Sequence, residues 1–144
     1  KITLFSQDLE TRFGYGVPRY EAVPADASLM LISPSSSRRT NATFGSDPAS
    51  QGPERIELHP ADAAVRGIVE GNRVRVWNRL GEVTLIARLT DAVPAGVAYS
   101  SKGTWLSTSD TGQTVNALID ADRRTDIMSG ACYNDTFVEV ALSP

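Results

Sequence analysis

One cysteine, Cys132, and one histidine, His59, are all this chain offers toward the metal and disulfide sites that such residues build. Those sites need several ligands at set spacings, so neither a cysteine-histidine metal centre nor an internal disulfide is expected. Long apolar runs are also missing. Nothing approaches the roughly 18 to 20 consecutive apolar residues of a membrane helix, and no charged head followed by an apolar run marks a signal peptide. A basic surplus is absent too: 14 basic side chains face 17 acidic ones, for a formal charge of -3. Binding to nucleic acid rests on a basic face that neutralises phosphates, so any basic patch here must be local. The expected protein meets neither nucleic acid nor a membrane span, and is cytoplasmic.

The sequence opens on Lys1-Ile2-Thr3-Leu4-Phe5 without a methionine and reads as a piece of a longer protein. Its 144 residues, 41% of them apolar, suffice for one core. Residues 1–28 carry Gly14, Gly16, Pro18 and Pro24 among polar neighbours, which punctuates too often for a long regular element. They are expected to form an arm leading into a domain over 29–144. Leu29 to Ile32 is a continuous apolar run stopped by Pro34, consistent with a buried strand. Ile56 and Leu58 alternate as a short strand.

From His59 to Gly67 the chain shows helix punctuation: Pro60 at the first position, Asp62 in the first turn, Arg66 in the last and Gly67 after it. A hairpin is the strongest local signal. Val74 and Val76 alternate with arginines, the turn runs from Asn78 to Gly81, and Val83, Leu85, Ala87 and Leu89 share one face. Val97 to Tyr99 and Phe137 to Val140 read as further strands. Many short strands, one or two short helices and long polar loops point to a mainly β chain closed as a barrel.

Conventional catalytic sets find little support. His59 is the single candidate for a serine-histidine-acid arrangement, and its place before Pro60 fits a helix boundary better than a proton shuttle. No nucleophile elbow is present. Cys132, between Ala131 and Tyr133, reads as a small packed side chain. Asp120, Asp122 and Asp126 run together with Arg123 and Arg124 as a solvated face. Two stretches remain, "SPSSSRRTNATFGS" over 33–46 and "SSKGTWLSTSDTGQT" over 100–114. Both combine hydroxyls, amides and glycines with one large aromatic, Phe44 or Trp105. Hydroxyls and amides donate and accept at once, an aromatic face covers a ring, and Arg38 with Arg39 adds forks suited to phosphate. A phosphorylated heterocycle fits that inventory.

The order of the pieces "LISPSSSRRTNATFGS", "IELHPADAAVRGIVEGNRVRVWNRLGEV", "VPAGVAYSSKGTW", "VNALIDADRRTD" and "YNDTFVEV" resembles the C-terminal domain of the dimethyl sulfoxide reductase family of molybdopterin oxidoreductases. The opening "KITLFSQDLETRFGYGVPRYEAVP" resembles the segment by which such enzymes enter that domain. The resemblance implies a six-stranded double-psi β-barrel that binds a molybdopterin guanine dinucleotide, carrying molybdenum or tungsten, through loops on the barrel's face. Carried over by position, it implies cofactor contacts at Ser33, Ser35, Asn41, Thr43 and Phe44 in the first loop. Trp105 and Asn116 follow in the second region, and Tyr133 with Asn134 lie near the pterin edge. Arg38 joins the set on charge.

It further implies no catalytic residue and no metal ligand in this chain, which alone would carry no cofactor and be inactive. The remaining domains of a parent oxidoreductase would be its partners. The rival reading is a stand-alone double-psi barrel serving protein interaction or substrate recognition.

Overall fold

Six strands carry the apolar alternation: β1 (Leu29–Ile32), β2 (Arg55–Leu58), β3 (Arg73–Trp77), β4 (Glu82–Leu89), β5 (Val97–Tyr99) and β6 (Thr136–Leu142). The computed structural model describes the chain except positions 1, 21, 23, 24, 26, 38, 49, 50, 52, 53, 110, 125–128 and 133. The strands close in the order β1-β5-β2-β4-β3-β6. Parallel pairs join β1 to β5 and β2 to β4, and β2 runs antiparallel to β5. β3 runs antiparallel to both β4 and β6, and β6 antiparallel to β1.

This order is the double-psi arrangement. β5 lies between β1 and β2, and β4 lies between β2 and β3, so two successive connections each straddle a strand laid down later. Closure removes the free edges that an open sheet would expose. Side chains alternate in and out along each strand, and the inward set forms one core. Leu29, Leu31, Ile56, Leu58, Val74 and Val76 belong to it, all at 1% exposure or less. On the outside of the hairpin, Arg75 bridges Glu82 at 2.7 Å and stacks 4.4 Å above the Trp77 ring, a cross-strand pairing that covers the aromatic face.

Among the described residues, two α-helices accompany the barrel. α1 (Gln7–Phe13) lies in the segment whose glycines and prolines argued against a long element, and it is short. Its local signals are complete: the Ser6 hydroxyl accepts from the Leu9 amide, Asp8 and Glu10 stand in the first turn, and Gly14 closes the end at φ 77°. No residue of α1 is buried, and Ile2, Leu4, Phe5 and Tyr20 around it are exposed. α2 (Pro60–Ala64) begins where its punctuation placed it, with His59 Nδ1 accepting from the Ala61 amide. It stops short of Gly67 because Arg66 and Gly67 donate to the carbonyls three residues back, tightening the last turn. No helix among the described residues is long and apolar enough to cross a membrane.

The register places all the long polar connections at one end. The carboxyl ends of β1, β5 and β3 meet there with the amino ends of β2, β4 and β6. Asn78 ties that end together. Its Nδ2 donates to the carbonyls of Leu118 (2.8 Å) and Phe137 (3.3 Å), while its Oδ1 accepts from the Leu80 amide. Asn78→Ala leaves those carbonyls without a donor and is expected to lower the unfolding free energy by about 1–3 kcal/mol. Chemical denaturation checks this through a lowered midpoint at unchanged slope.

Candidate cofactor site

Ser33 follows β1 and Ser100 follows β5, and the parallel register of those strands sets them side by side. The Ser100 amide donates to the Ile32 carbonyl at 3.1 Å, and the Lys102 amide to the Pro34 carbonyl at 3.0 Å. Both serines continue the inward alternation of Leu29-Leu31 and of Ala98. They are 3% and 1% exposed, and neither Oγ has a hydrogen-bond partner. Each unpaired buried hydroxyl costs about 1–3 kcal/mol, so the barrel end is a polar floor held at a cost.

Above that floor the two polar loops are fastened to one another. Trp105 Nε1 donates to the Ala42 carbonyl at 2.6 Å, and Arg39 donates to the Thr104 hydroxyl. The loops touch closely enough to require glycine twice. A side chain on Gly45 would run into the Trp105 indole, and one on Gly103, at φ 104°, would overlap the Asn41 carbonyl oxygen. Asn41 and Phe44 adopt left-handed backbone at φ 54° and 65°, a conformation that asparagine tolerates and phenylalanine ordinarily avoids. The Phe44 ring is turned outward at 63% exposure. Strain of this kind concentrates where a chain grips a ligand.

The connection that carries Trp105 runs on to complete the end. Thr114 and Val115 are buried, and the 3-10 turn Val115–Leu118 packs on β4 and leaves Asn116 exposed. Asn134 lies beyond it, beside a shallow cleft that Arg79, Leu118, Asp120, Cys132 and Asp135 help to line. Asp120 there is held below the ordinary carboxylate range, first by the Asp122 amide and then by the Arg79 side chain. Among the described residues, the side-chain amides of Asn41, Asn116 and Asn134 and the hydroxyls of Ser35 and Thr43 have no hydrogen-bond partner.

The expected residues therefore gather at one barrel end, but unequally. Ser33 lies in the floor, and Ser35, Asn41, Thr43 and Phe44 share the first loop that Trp105 fastens. Asn116 lies in the 3-10 turn farther along the connection that carries Trp105, and Asn134 stands at the neighbouring cleft. Arg38 and Tyr133 lie outside the described residues. Residue-type reasoning placed Ser100 and Thr104 in the second polar stretch without naming them individually, and it missed Glu54. Ser100 and Glu54 were visible as polar residues at inward positions of an apolar alternation. Glu54 extends the Ile56-Leu58 set by one step, and its carbonyl accepts from the Ile86 amide at 2.9 Å. Among the described residues, no group of three or more histidine, cysteine, aspartate or glutamate side chains gathers to hold a metal ion.

Sequence comparison reaches the same region. The profile of the family described as "Molydopterin dinucleotide binding domain" matches residues 29–137. Biotin sulfoxide reductase of Cereibacter sphaeroides is 46% identical over 57 residues, 40% of this chain and 8% of that protein. Dimethyl sulfoxide/trimethylamine N-oxide reductase of Rhodobacter capsulatus is 45% identical over 43% of this chain and 8% of its own length. Probable oxidoreductase YoaE of Bacillus subtilis is 29% identical across 97% of this chain but 21% of its own length. The chain thus spans a small part of the curated relatives it matches. Acetylene hydratase from Pelobacter acetylenicus superposes on 97% of this chain at a TM-score of 0.70 and 15% identity, using 23% of its own chain, which speaks for the fold. With most of its length under the family profile and the closed double-psi barrel beneath it, the chain belongs to the molybdopterin dinucleotide binding domains of the dimethyl sulfoxide reductase family.

Proposed function

We propose that this chain is the C-terminal cofactor-binding domain of a molybdenum or tungsten oxidoreductase, and that it holds a molybdopterin guanine dinucleotide through its polar loops. When bound, such a cofactor supplies two-electron redox chemistry at its metal. The chain's own residues bind and orient it. The observation that carries this reading is the fastening of one polar loop to another above two buried serine hydroxyls that lack partners.

The donor set suits the group. A pterin or guanine edge alternates N–H donors with carbonyl and ring-nitrogen acceptors, which hydroxyls and amides meet in either sense. Ser33, Ser35, Asn41, Thr43 and Asn116 offer such groups, Asn134 extends the set toward the neighbouring cleft, and Tyr133 joins it by residue type. Phe44 and Trp105 offer ring faces, while Arg38 and Arg39 bring charge suited to the phosphates. The exposed apolar side chains of the arm, Ile2, Leu4, Phe5 and Tyr20, support a partnership with other domains of a parent enzyme. No observation favours the stand-alone interaction module.

Asn41→Ala and Asn116→Ala, each made in the protein at its natural full length, are expected to weaken cofactor retention by roughly tenfold apiece, the scale of one hydrogen bond to a polar ligand. Cofactor content per folded protein, with circular dichroism as the fold control, reads the effect. Full occupancy in both variants sinks the reading.

A further inference from the structure

We propose that Asn78, in the β3–β4 turn, is a positioning residue of the cofactor site: its side-chain amide holds the 3-10 turn Val115–Leu118 by the Leu118 carbonyl and so aims Asn116 at the ligand. This rests on the reading that Asn116 touches the cofactor, and it adds to that reading the group that fixes where Asn116 stands.

Two side chains set the depth of the 3-10 turn. Val115 and Leu118 are buried at 1% and 0% exposure, and their spacing puts both on one side of a helix of this kind. Asn116 is left exposed on the outer side. Apolar burial is non-directional, so it fixes how deep the turn sits without fixing where an outward side chain points. Direction comes from hydrogen bonds, and the β3–β4 turn supplies them.

Asn78 follows Trp77 at the end of β3, and its backbone amide donates to the Gly81 carbonyl at 3.0 Å, which closes that turn. Its side chain is held at both ends. Oδ1 accepts from the Leu80 amide at 2.9 Å, while Nδ2 donates to the Phe137 carbonyl of β6 at 3.3 Å and to the Leu118 carbonyl at 2.8 Å. Its own turn and β6 thus anchor Asn78 to the barrel wall, and Asn78 anchors Leu118 to both. Two further contacts tie the same elements. Arg79 pairs with Asp120, beyond Leu118, and a side chain on Gly81 would stand 3.1 Å from the Ala117 carbonyl oxygen. The residue next to Asn116 therefore rests on the β3–β4 turn. The arrangement needs an amide: an aspartate would turn a carboxylate oxygen toward two carbonyls, and an alanine would leave both unheld.

The test measures the rate of cofactor release from the protein at its natural full length, for Asn78→Ala, Asn116→Ala and the double variant. Asn78→Ala is expected to quicken release about tenfold, the scale of the one hydrogen bond it misdirects. In the Asn116→Ala background the same substitution is expected to change release by less than about twofold, because the contact it aims is already gone. A general loosening of the barrel end would quicken release equally in both backgrounds, and that result overturns the proposal.

Amide hydrogen exchange in the cofactor-stripped protein reads the turn without the ligand. The amides of Ala117 and Ile119 donate to the Thr114 and Asn116 carbonyls. In Asn78→Ala they are expected to exchange about tenfold faster relative to the amides of β4. An unchanged ratio overturns the proposal. Faster exchange with release indifferent to both substitutions supports Asn78 as the group that positions the turn, and overturns instead the reading that Asn116 touches the cofactor. Should Asn78→Ala fail to fold, Gly81→Ala serves, since it keeps the Asn78 bonds and presses on Ala117. It is expected to quicken release severalfold on its own and to add nothing to Asn116→Ala. Equal effects in the two backgrounds, or none in either, overturn the proposal.

Discussion

Substituting alanine for Gly103 is expected to separate the two polar loops while leaving the barrel folded. Gly103 sits at φ 104°, where an L side chain is strained by about 1–3 kcal/mol before any contact is considered. Its added Cβ would then overlap the Asn41 carbonyl oxygen, which is backbone and cannot rotate aside as a side-chain end would. The chain can relieve the overlap only by moving one loop away. That movement breaks the neighbouring Arg39–Thr104 and Trp105–Ala42 bonds together, since Thr104 and Trp105 are the next two residues. Trp105 fluorescence is expected to shift to longer wavelength as the indole gains water, and cofactor affinity to fall on the order of 100-fold, or about 2.7 kcal/mol. Because the barrel core lies below the loops, its cooperative unfolding is expected to persist. An unshifted Trp105 emission with unchanged affinity would show that this contact does not fasten the loops.

The largest stability effect is expected from Leu58→Ala. Leu58 is fully buried in β2, between Leu89 on the parallel neighbour and Ala98 on the antiparallel one, and its carbonyl accepts from the Thr90 amide. The side chain is fully enclosed in a closed barrel whose wall is pinned by hydrogen bonds all round, so the hole left by truncation cannot collapse well. The expected loss is about 2–5 kcal/mol, a large share of the roughly 5–15 kcal/mol that keeps a domain folded. A fall in melting temperature on the order of 10 °C follows. Val65→Ala is the control. Val65 is 81% exposed beside α2, and its truncation is expected to change stability by less than about 0.5 kcal/mol. Equal effects at the two positions would contradict the inward assignment of β2.

Strands and turns were legible where alternation was strict. Val74-Val76 against Val83-Leu85-Ala87 announced the β3–β4 hairpin, and that hairpin is present over Arg73–Trp77 and Glu82–Leu89. Boundaries were less legible. β6 begins at Thr136 and runs to Leu142, beyond the Phe137 to Val140 expected, because pairing with β1 and β3 on its two sides recruits the flanking residues. α1 escaped notice because it buries nothing and so shows no apolar stripe, although Ser6 and Gly14 marked its ends. The first polar loop and Trp105 were picked out by residue type, and the family resemblance gave their order a meaning. The fastening itself was not legible: it depends on the Ala42 carbonyl and the Gly103 backbone, which residue types do not display.

Periodicity, capping and turn chemistry are local properties, determined by neighbours a few residues apart. The sequence therefore determined by itself that this is a chain of short strands, where α2 begins, which faces are apolar and which loops are polar. Strand order is a non-local property. That β5 inserts between β1 and β2, and β4 between β2 and β3, follows from closing one core over inward side chains drawn from the whole chain, and no window of sequence contains that condition. Tertiary structure alone brought Ser33, Ser100 and Glu54 to the same barrel end, from positions 21 to 67 residues apart in the sequence. It also made Glu54 a buried carboxyl instead of a surface one, since burial is a property of the closed barrel and not of the residue.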